Sequence, residues 1–226
     1  RLLPVDYGDV CLNVDLAAFS GQQLPLPETL DDLLKPEYRD MLVVTNPATS
    51  SPGLAFLMAT IAQYGDPGYL DYWKALRGNG LRVVDDWQSA YYIDFTRAGG
   101  THPIALSYAS SPAFEVIYAE TPLETPPTAA ITGAGTCFRQ VEFVGILQGT
   151  ANQDLAEKWV DFMLSTQFQE DMPLQMFVFP VNPQAQLDEQ FTRFLVNPEQ
   201  PALLPYADIA ANRETWIQAW TEAVLR

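Results

Sequence analysis

Two stretches of this chain follow one plan: LVVTNPATSSPGLAFLMATIAQYG, residues 42 to 65, and IALSYASSPAFEVIYAE, residues 104 to 120. Each runs an apolar segment of strand character into small hydroxyl residues, then Ser-Ser-Pro, then a helical pattern. Proline suits the first helical position, where the N–H it lacks has no partner to lose, and a serine just before it supplies a capping oxygen. Helices are therefore predicted to begin at Pro52 and Pro112, with Ser51 and Ser111 as N-caps. Around these turns the sequence reads as a strand at 41–45, a helix at 52–64, a helix in GDPGYLDYWKALRGNG with Pro67 near its start and Gly78 at its end, a strand in LRVV, a helix in DDWQSAYYIDFTRAGG and a strand in HPIALSY. Strand and helix in alternation restrict the chain to an α/β fold, with a parallel or mixed sheet and helices on its faces.

Ligands of open α/β sheets gather beyond the carboxyl ends of the strands, and a helix N-terminus offers unpaired N–H groups and a partial positive charge. Thr49, Ser50, Ser51, Ser110 and Ser111 are accordingly candidates to meet an anionic or hydrogen-bond-accepting group, although capping alone accounts for either turn taken singly.

On both sides of this block lie further strands. Residues 5 to 15 form one; residues 28 to 40 read as a helical turn broken by Pro36. After the Pro/Thr-rich ETPLETPPTAA come a strand in CFRQVEFVGIL, a helix over 152–170 capped by Asn152 with Leu155, Trp159, Phe162 and Met163 as its apolar face, an extended MPLQMFVFPVNP, and a closing amphipathic helix in ADIAANRETWIQAWTEAVLR. Strands at 5–15 and 137–147 flank the α/β block, as the two strands of a hinge would. They also carry the two cysteines, Cys11 and Cys137. If the strands are neighbours, these form a disulfide in an oxidising compartment; otherwise they are buried thiols.

The function classes narrow quickly. With 12 Lys and Arg against 28 Asp and Glu, the net charge of −16 repels nucleic acid and anionic membranes and tolerates cationic small molecules. No apolar run approaches the length of a membrane span, and residues 1 to 20 lack the pattern of a signal peptide, so the abrupt opening fits a mature or trimmed fragment. A single histidine, His102, in a loop gives neither a triad nor a histidine metal site, and no phosphate loop, CxxC or HExxH is present. No cofactor and no metal are expected. The aromatic set is more telling: Trp87, Tyr91 and Tyr92 follow Asp85 and Asp86 on one short helix, and Tyr108 precedes the second Ser-Ser-Pro turn. Such rings either fill core or clamp a flat cation by stacking and cation–π attraction.

The ordered strings VDYGDVCLNVD, TNPATSSPGLAFL, DDWQSAYY, LSYASSPAFEVIYAE, QVEFVGIL and FQEDMPLQMFVFPVNP resemble the thiamine-binding proteins that serve ABC importers, within the type II periplasmic-binding-protein class. The resemblance runs from about Leu3 to RETWIQAWTEAV, nearly the whole chain. It implies a monomer of two α/β lobes closing over thiamine or its phosphate esters, which delivers its ligand to an ABC permease. The location implied is periplasmic or otherwise extracytoplasmic, at the membrane through the permease or a lipid anchor. It divides the chain into a hinge strand and remnant of the first lobe at 1–20, a second lobe at 21–136, and a return strand with the rest of the first lobe at 137–226. It places Trp87 and Tyr108 where the family stacks its ligand, with Tyr91 beside them, and Phe114 and Phe177 where tyrosine or tryptophan is frequent. Asp6 and Tyr7 fall in the DYG strand by the cleft; Thr49, Ser50 and Ser51 fall at the TSTPG helix start, with Ala48 in place of a frequent arginine. Family members carry roughly a hundred further residues before the DYG strand, so the first lobe is expected to be incomplete.

Two other readings compete. Adjacent Tyr91 and Tyr92 look like the phenolate pair of ferric-binding relatives, although neighbours on a helix point about 100° apart. A thiaminase-like enzyme would use Cys137 as nucleophile near Glu142, an odd spacing that puts the two on opposite faces of a strand.

Overall fold

The structure, a computed structural model, describes residues 2–226. Strand β1 (Leu2–Asp15) runs into a short helix α1 (Leu16–Gln22), and single 3-10 turns at Asp31–Leu34 and Pro36–Tyr38 lead to β2 (Leu42–Thr45). There follow α2 (Ser51–Tyr64), α3 (Gly68–Gly78), β3 (Arg82–Val84), a one-turn α4 (Trp87–Ser89), β4 (Ile104–Tyr108), α5 (Ser111–Ile117), β5 (Thr128–Ile131) and β6 (Phe138–Gly145). The chain ends with α6 (Gln153–Met163), α7 (Thr166–Met176), β7 (Phe179–Pro180), α8 (Glu189–Phe194) and α9 (Tyr206–Val224).

These strands form the mixed sheet the alternation predicts. Its main path runs β3-β2-β4-β1-β5, with β2 parallel to β3 and β4, and with β1 antiparallel to β4 and β5. The N-terminal half of β1 pairs instead with β6, from Leu2 to Val10, and with β7 at Asp6 and Tyr7. Strand β1 has strand partners on both sides at Asp6, Tyr7, Val10 and Leu12 to Val14, and every one of its residues from Val5 to Asp15 except Tyr7 is buried.

The larger core lies on one face of the main sheet. Strand β2 is buried throughout, and α2 buries Phe56, Leu57, Met58 and Ile61 against it. A tetrad of rings and a hydroxyl locks α2 to α3 and α9: Trp73 meets Phe56 and Trp220 edge-on, and its indole N–H donates to Thr60 Oγ1 at 2.9 Å. Thus α9, far along the chain, returns to the core built by α2 and α3 through Trp216, Trp220 and Val224.

Several expectations are corrected. The residues preceding the first helical positions are Ser50 and Ser110, one earlier than predicted; the prolines stand second, and neither serine makes a side-chain capping bond. The segment at 152–170 is two helices, because Ser165 Oγ accepts from Phe168 N and opens α7. Helix α7 continues through MPLQM despite Pro173, so only Phe179–Pro180 of the segment expected to be extended is a strand. Asn152 caps nothing with its side chain; its own N–H donates to Thr150 Oγ1. Leu155, Trp159 and Phe162 do form a stripe on α6, but it faces solvent, at 67%, 56% and 40% exposure, rather than a core. Periodicity identifies an apolar face; it does not say what covers it. The helix after Asp86 is one α turn that widens into a π turn over Ala90–Asp94, and β5, α1 and α8 were not foreseen.

Cys11 and Cys137, 126 positions apart in the sequence, are bonded. Cys137 directly precedes β6, which pairs with β1, so the condition set for a bridge is met. Close approach also shapes the first Ser-Ser-Pro turn: a Cβ on Gly53 would lie 2.3 Å from the Thr45 carbonyl oxygen, so α2 begins against the end of β2. Gly53→Ala is expected to lower stability by about 1–3 kcal/mol in urea unfolding, and Cys11→Ala with Cys137→Ala by about 2–5 kcal/mol in the same measurement under oxidising conditions.

Candidate functional site

Side chains of β1 alternate between two very different surroundings. On one face, Asp9 takes a bidentate pair from Arg139 at 3.0 and 2.8 Å, and the guanidinium lies 5.1 Å from the centre of the Tyr7 ring, which stacks on Phe179. On the other face, Asp6 stands opposite Glu142 and Gly8 opposite Gln140 across the β1–β6 register. The absence of a side chain at Gly8 lets the Tyr108 ring lie on the strand, since a Cβ there would sit 3.1 Å from its Cδ1.

This second face has acceptors and no cation. Gln140 Nε2 donates to Glu142 Oε1 at 2.7 Å, while Asp6 Oδ1 and Gln140 Oε1 are buried without any donor. Burial first, and then the Glu142 charge, raise Asp6 to about 7. Burial likewise pushes Tyr108 up to about 12, helped by Glu142 and Asp6. Gln140 and Glu142 line a cavity of about 460 Å³ between β6 and α2, whose opposite wall includes Ser51, Leu54 and Met58.

Next to this face runs a chain of rings. Trp87, half-buried, stacks on Tyr91 at 5.3 Å and meets Phe177 at 5.5 Å and Tyr108 at 6.5 Å. Its indole N–H donates to Ser107 Oγ at 2.9 Å, and Ser107 shares a hydrogen bond with Ser111, whose Oγ also accepts from Tyr108 N. Asp86, at the N-cap, accepts from Ser89 N at 2.7 Å and fixes the turn that presents Trp87. Ser110 Oγ donates to the Phe177 carbonyl at 2.5 Å, holding Phe177 in a left-handed conformation at φ 61°.

Not all predicted site residues come together. Trp87, Tyr108, Phe177 and Asp6 do. Tyr91 is buried and donates to Glu115 Oε1 at 2.7 Å, and Phe114 is buried against Phe177 at 4.2 Å; both rings line, with Phe177, a cavity of about 400 Å³. Tyr7 is on the opposite face of β1 from Asp6. Ser110 and Ser111 are buried and make internal hydrogen bonds, and Ser111 also lines the cavity beside Tyr91, Phe114 and Phe177. In the first turn, Thr49 donates to the Asp85 carbonyl and Ser50 to Thr45 Oγ1; only exposed Ser51 faces the cavity at β6. Gln140, Glu142, Ser107 and Gly8 were missed as participants. The signal for the first two lay in pairing, which sets Gln140 and Glu142 beside Gly8 and Asp6.

The competing chemistries meet obstacles here. Cys137 is in a disulfide and has no thiolate to offer. Tyr91 holds its proton: burial above all, then Glu115, raises its pKa well above the ordinary phenol, against the phenolate that ferric ion needs. No group of three or more His, Cys, Asp or Glu is placed to hold a metal among the described residues.

Solved structures show which class of protein this architecture defines. A periplasmic thiamin binding protein superimposes with a TM-score of 0.86 at 27% identity, over 100% of this chain and 66% of its own. A Bordetella ferric binding protein shares the fold at a TM-score of 0.69 and 19% identity, over 99% and 69%. The fold is that of the periplasmic binding proteins, a mixed sheet with helices on its faces, and the chain matches about two thirds of each of these structures. Residues 1–194 match the profile of the bacterial extracellular solute-binding proteins, and the chain belongs to that family. The thiamine-binding periplasmic proteins of Brucella suis biovar 1 (strain 1330) and Escherichia coli (strain K12) are each 28% identical over 225 and 224 residues, 99% of this chain. The chain spans about 64% of the length of these relatives.

The raised Asp6 carries a stability signature. The folded chain keeps this proton up to about pH 7, whereas the unfolded chain releases it near 4, so stability falls as pH rises between those values. Asp6→Asn is expected to remove that slope: its melting midpoint exceeds the parent's by at least about 2 °C at pH 8 and matches it below pH 4.

Proposed function

We propose that this chain captures thiamine, or one of its phosphate esters, as the binding component of an ABC importer outside the cytoplasm. The reading rests most on one arrangement: Trp87 and Tyr108, half-buried and in ring contact, stand beside the cation-free acceptor face of Asp6, Gln140 and Glu142. Thiamine is a flat cation with an amino-substituted ring, and it asks for aromatic faces and acceptors at once. The relatives named for thiamine binding and the net charge of −16 point the same way.

This reading keeps the division into a hinge strand and remnant of the first lobe at 1–20, a second lobe at 21–136 and the rest of the first lobe at 137–226, with α9 packing on α2 and α3. Ligand touches both lobes only when they are closed, so binding shifts the population toward the form that a permease recognises. The protein works as a monomer and delivers its ligand without altering it.

Calorimetric titration with thiamine tests this. Trp87→Ala and Tyr108→Ala are each expected to weaken binding by about 1–3 kcal/mol. Unchanged affinity in both would remove the ring pair from the site, and an absence of thiamine binding by the unaltered protein would overturn the function.

A further inference from the structure

We infer that Asp6 Oδ1 and Gln140 Oε1 form the specificity end of the ligand site, accepting the two N–H bonds of an exocyclic amino group on a heteroaromatic ring. The inference rests on the thiamine reading and names the part of the ligand that this face selects.

Buried acceptors without a donor are uncommon, because water is lost and nothing replaces it. Here two occur on neighbouring strands and on one face. Asp6 is only 5% exposed, and its Oδ1 has no partner. Gln140 spends its amide N–H on Glu142, which leaves Oε1 buried and unpartnered as well. The register sets Asp6 opposite Glu142 and Gly8 opposite Gln140, so both acceptors flank the strip on which Tyr108 lies. Among the described residues no Lys or Arg is ion-paired with Asp6 or Glu142, and Arg139, the one cation of β6, is turned to Asp9 on the other side. The Tyr108 hydroxyl is in hydrogen-bonding reach of Gln140, but one hydroxyl proton cannot serve both orphaned acceptors, and an amino group supplies two donors on one atom in the plane of its ring.

Tyr108 fixes how that ring must lie. Its ring packs on Gly8 and contacts Trp87, so a heteroaromatic ring whose amino group reaches Asp6 and Gln140 directs its remaining bulk toward Trp87 and Phe177. A pyrimidine amine inward and a cationic second ring outward satisfy both surfaces. Glu142, held by Gln140, adds its charge beside the same strip.

A site built to pair a donor rejects the analogue that lacks it far more strongly than an apolar pocket rejects a change of size. Oxythiamine, in which an oxo group replaces the amino group, is therefore the discriminating probe. The unaltered protein is expected to bind thiamine at least about tenfold more tightly than oxythiamine. Asp6→Leu and Gln140→Leu should each cost at least about tenfold in thiamine affinity and bring the two ligands toward parity. Asp6→Asn and Gln140→Glu keep an acceptor at their positions and are expected to retain the preference, which guards against a fold defect in the leucine variants. Thiamine bound no better than oxythiamine by the unaltered protein, or a preference that survives both Asp6→Leu and Gln140→Leu, would overturn the inference while leaving thiamine capture intact. Loss of thiamine binding in Trp87→Ala alone, with the preference unaffected by Asp6→Leu, would also overturn it.

Discussion

The backbone hydrogen bonding of β1 is the constraint from which the rest of the structure follows. This 14-residue strand satisfies its N–H and C=O groups with four different strands, β6 and β7 toward its start and β4 and β5 toward its end. A backbone so completely partnered cannot shift register without unpairing buried groups, each of which is costly to leave unsatisfied. Its alternation is therefore fixed, and every functional assignment made here depends on which side of β1 a residue occupies.

That alternation separates two electrostatic regimes within a few ångströms. The Asp9 side is neutralised: its carboxylate has no exposed side-chain surface and is held by both arms of Arg139. The Asp6 side is left acidic and short of donors, with Glu142 facing Asp6 across the strands. Had both faces been ion-paired, the strand would be a plain structural element. Two carboxylates three residues apart in the DYGD segment are thus treated unequally, Asp9 ion-paired and Asp6 buried beside a like charge.

How much of this was legible in the sequence depended on whether the signal was local. The alternating elements from β2 to α5 were readable because apolar periodicity, Pro52 and Pro112 act within a few residues. The offset of the helix starts to Ser50 and Ser110 was not, since neither serine makes the bond that would distinguish a cap from its neighbour. Strand β5 lay hidden in TAAI, which has little strand propensity of its own and exists because β1 offers it an edge. In β6 the usual inference inverts. Val141 and Phe143 are exposed at 40% and 55%, while Gln140 and Glu142 are more buried and lie beside Gly8 and Asp6. The aromatic members Trp87, Tyr108 and Phe177 were recognisable by resemblance, whereas Gln140 required knowledge of which strand lies beside β1.

The sharing of β1 also governs how the molecule comes apart. One continuous strand carries ladder bonds for both portions of the sheet, and the link from Cys11 to Cys137 ties it to the return strand at the point where the portions meet. Neither portion can melt while the other keeps its central strand intact, so heating should give one calorimetric transition rather than two, and amide protons in the middle of β1 should exchange with solvent only through that global event.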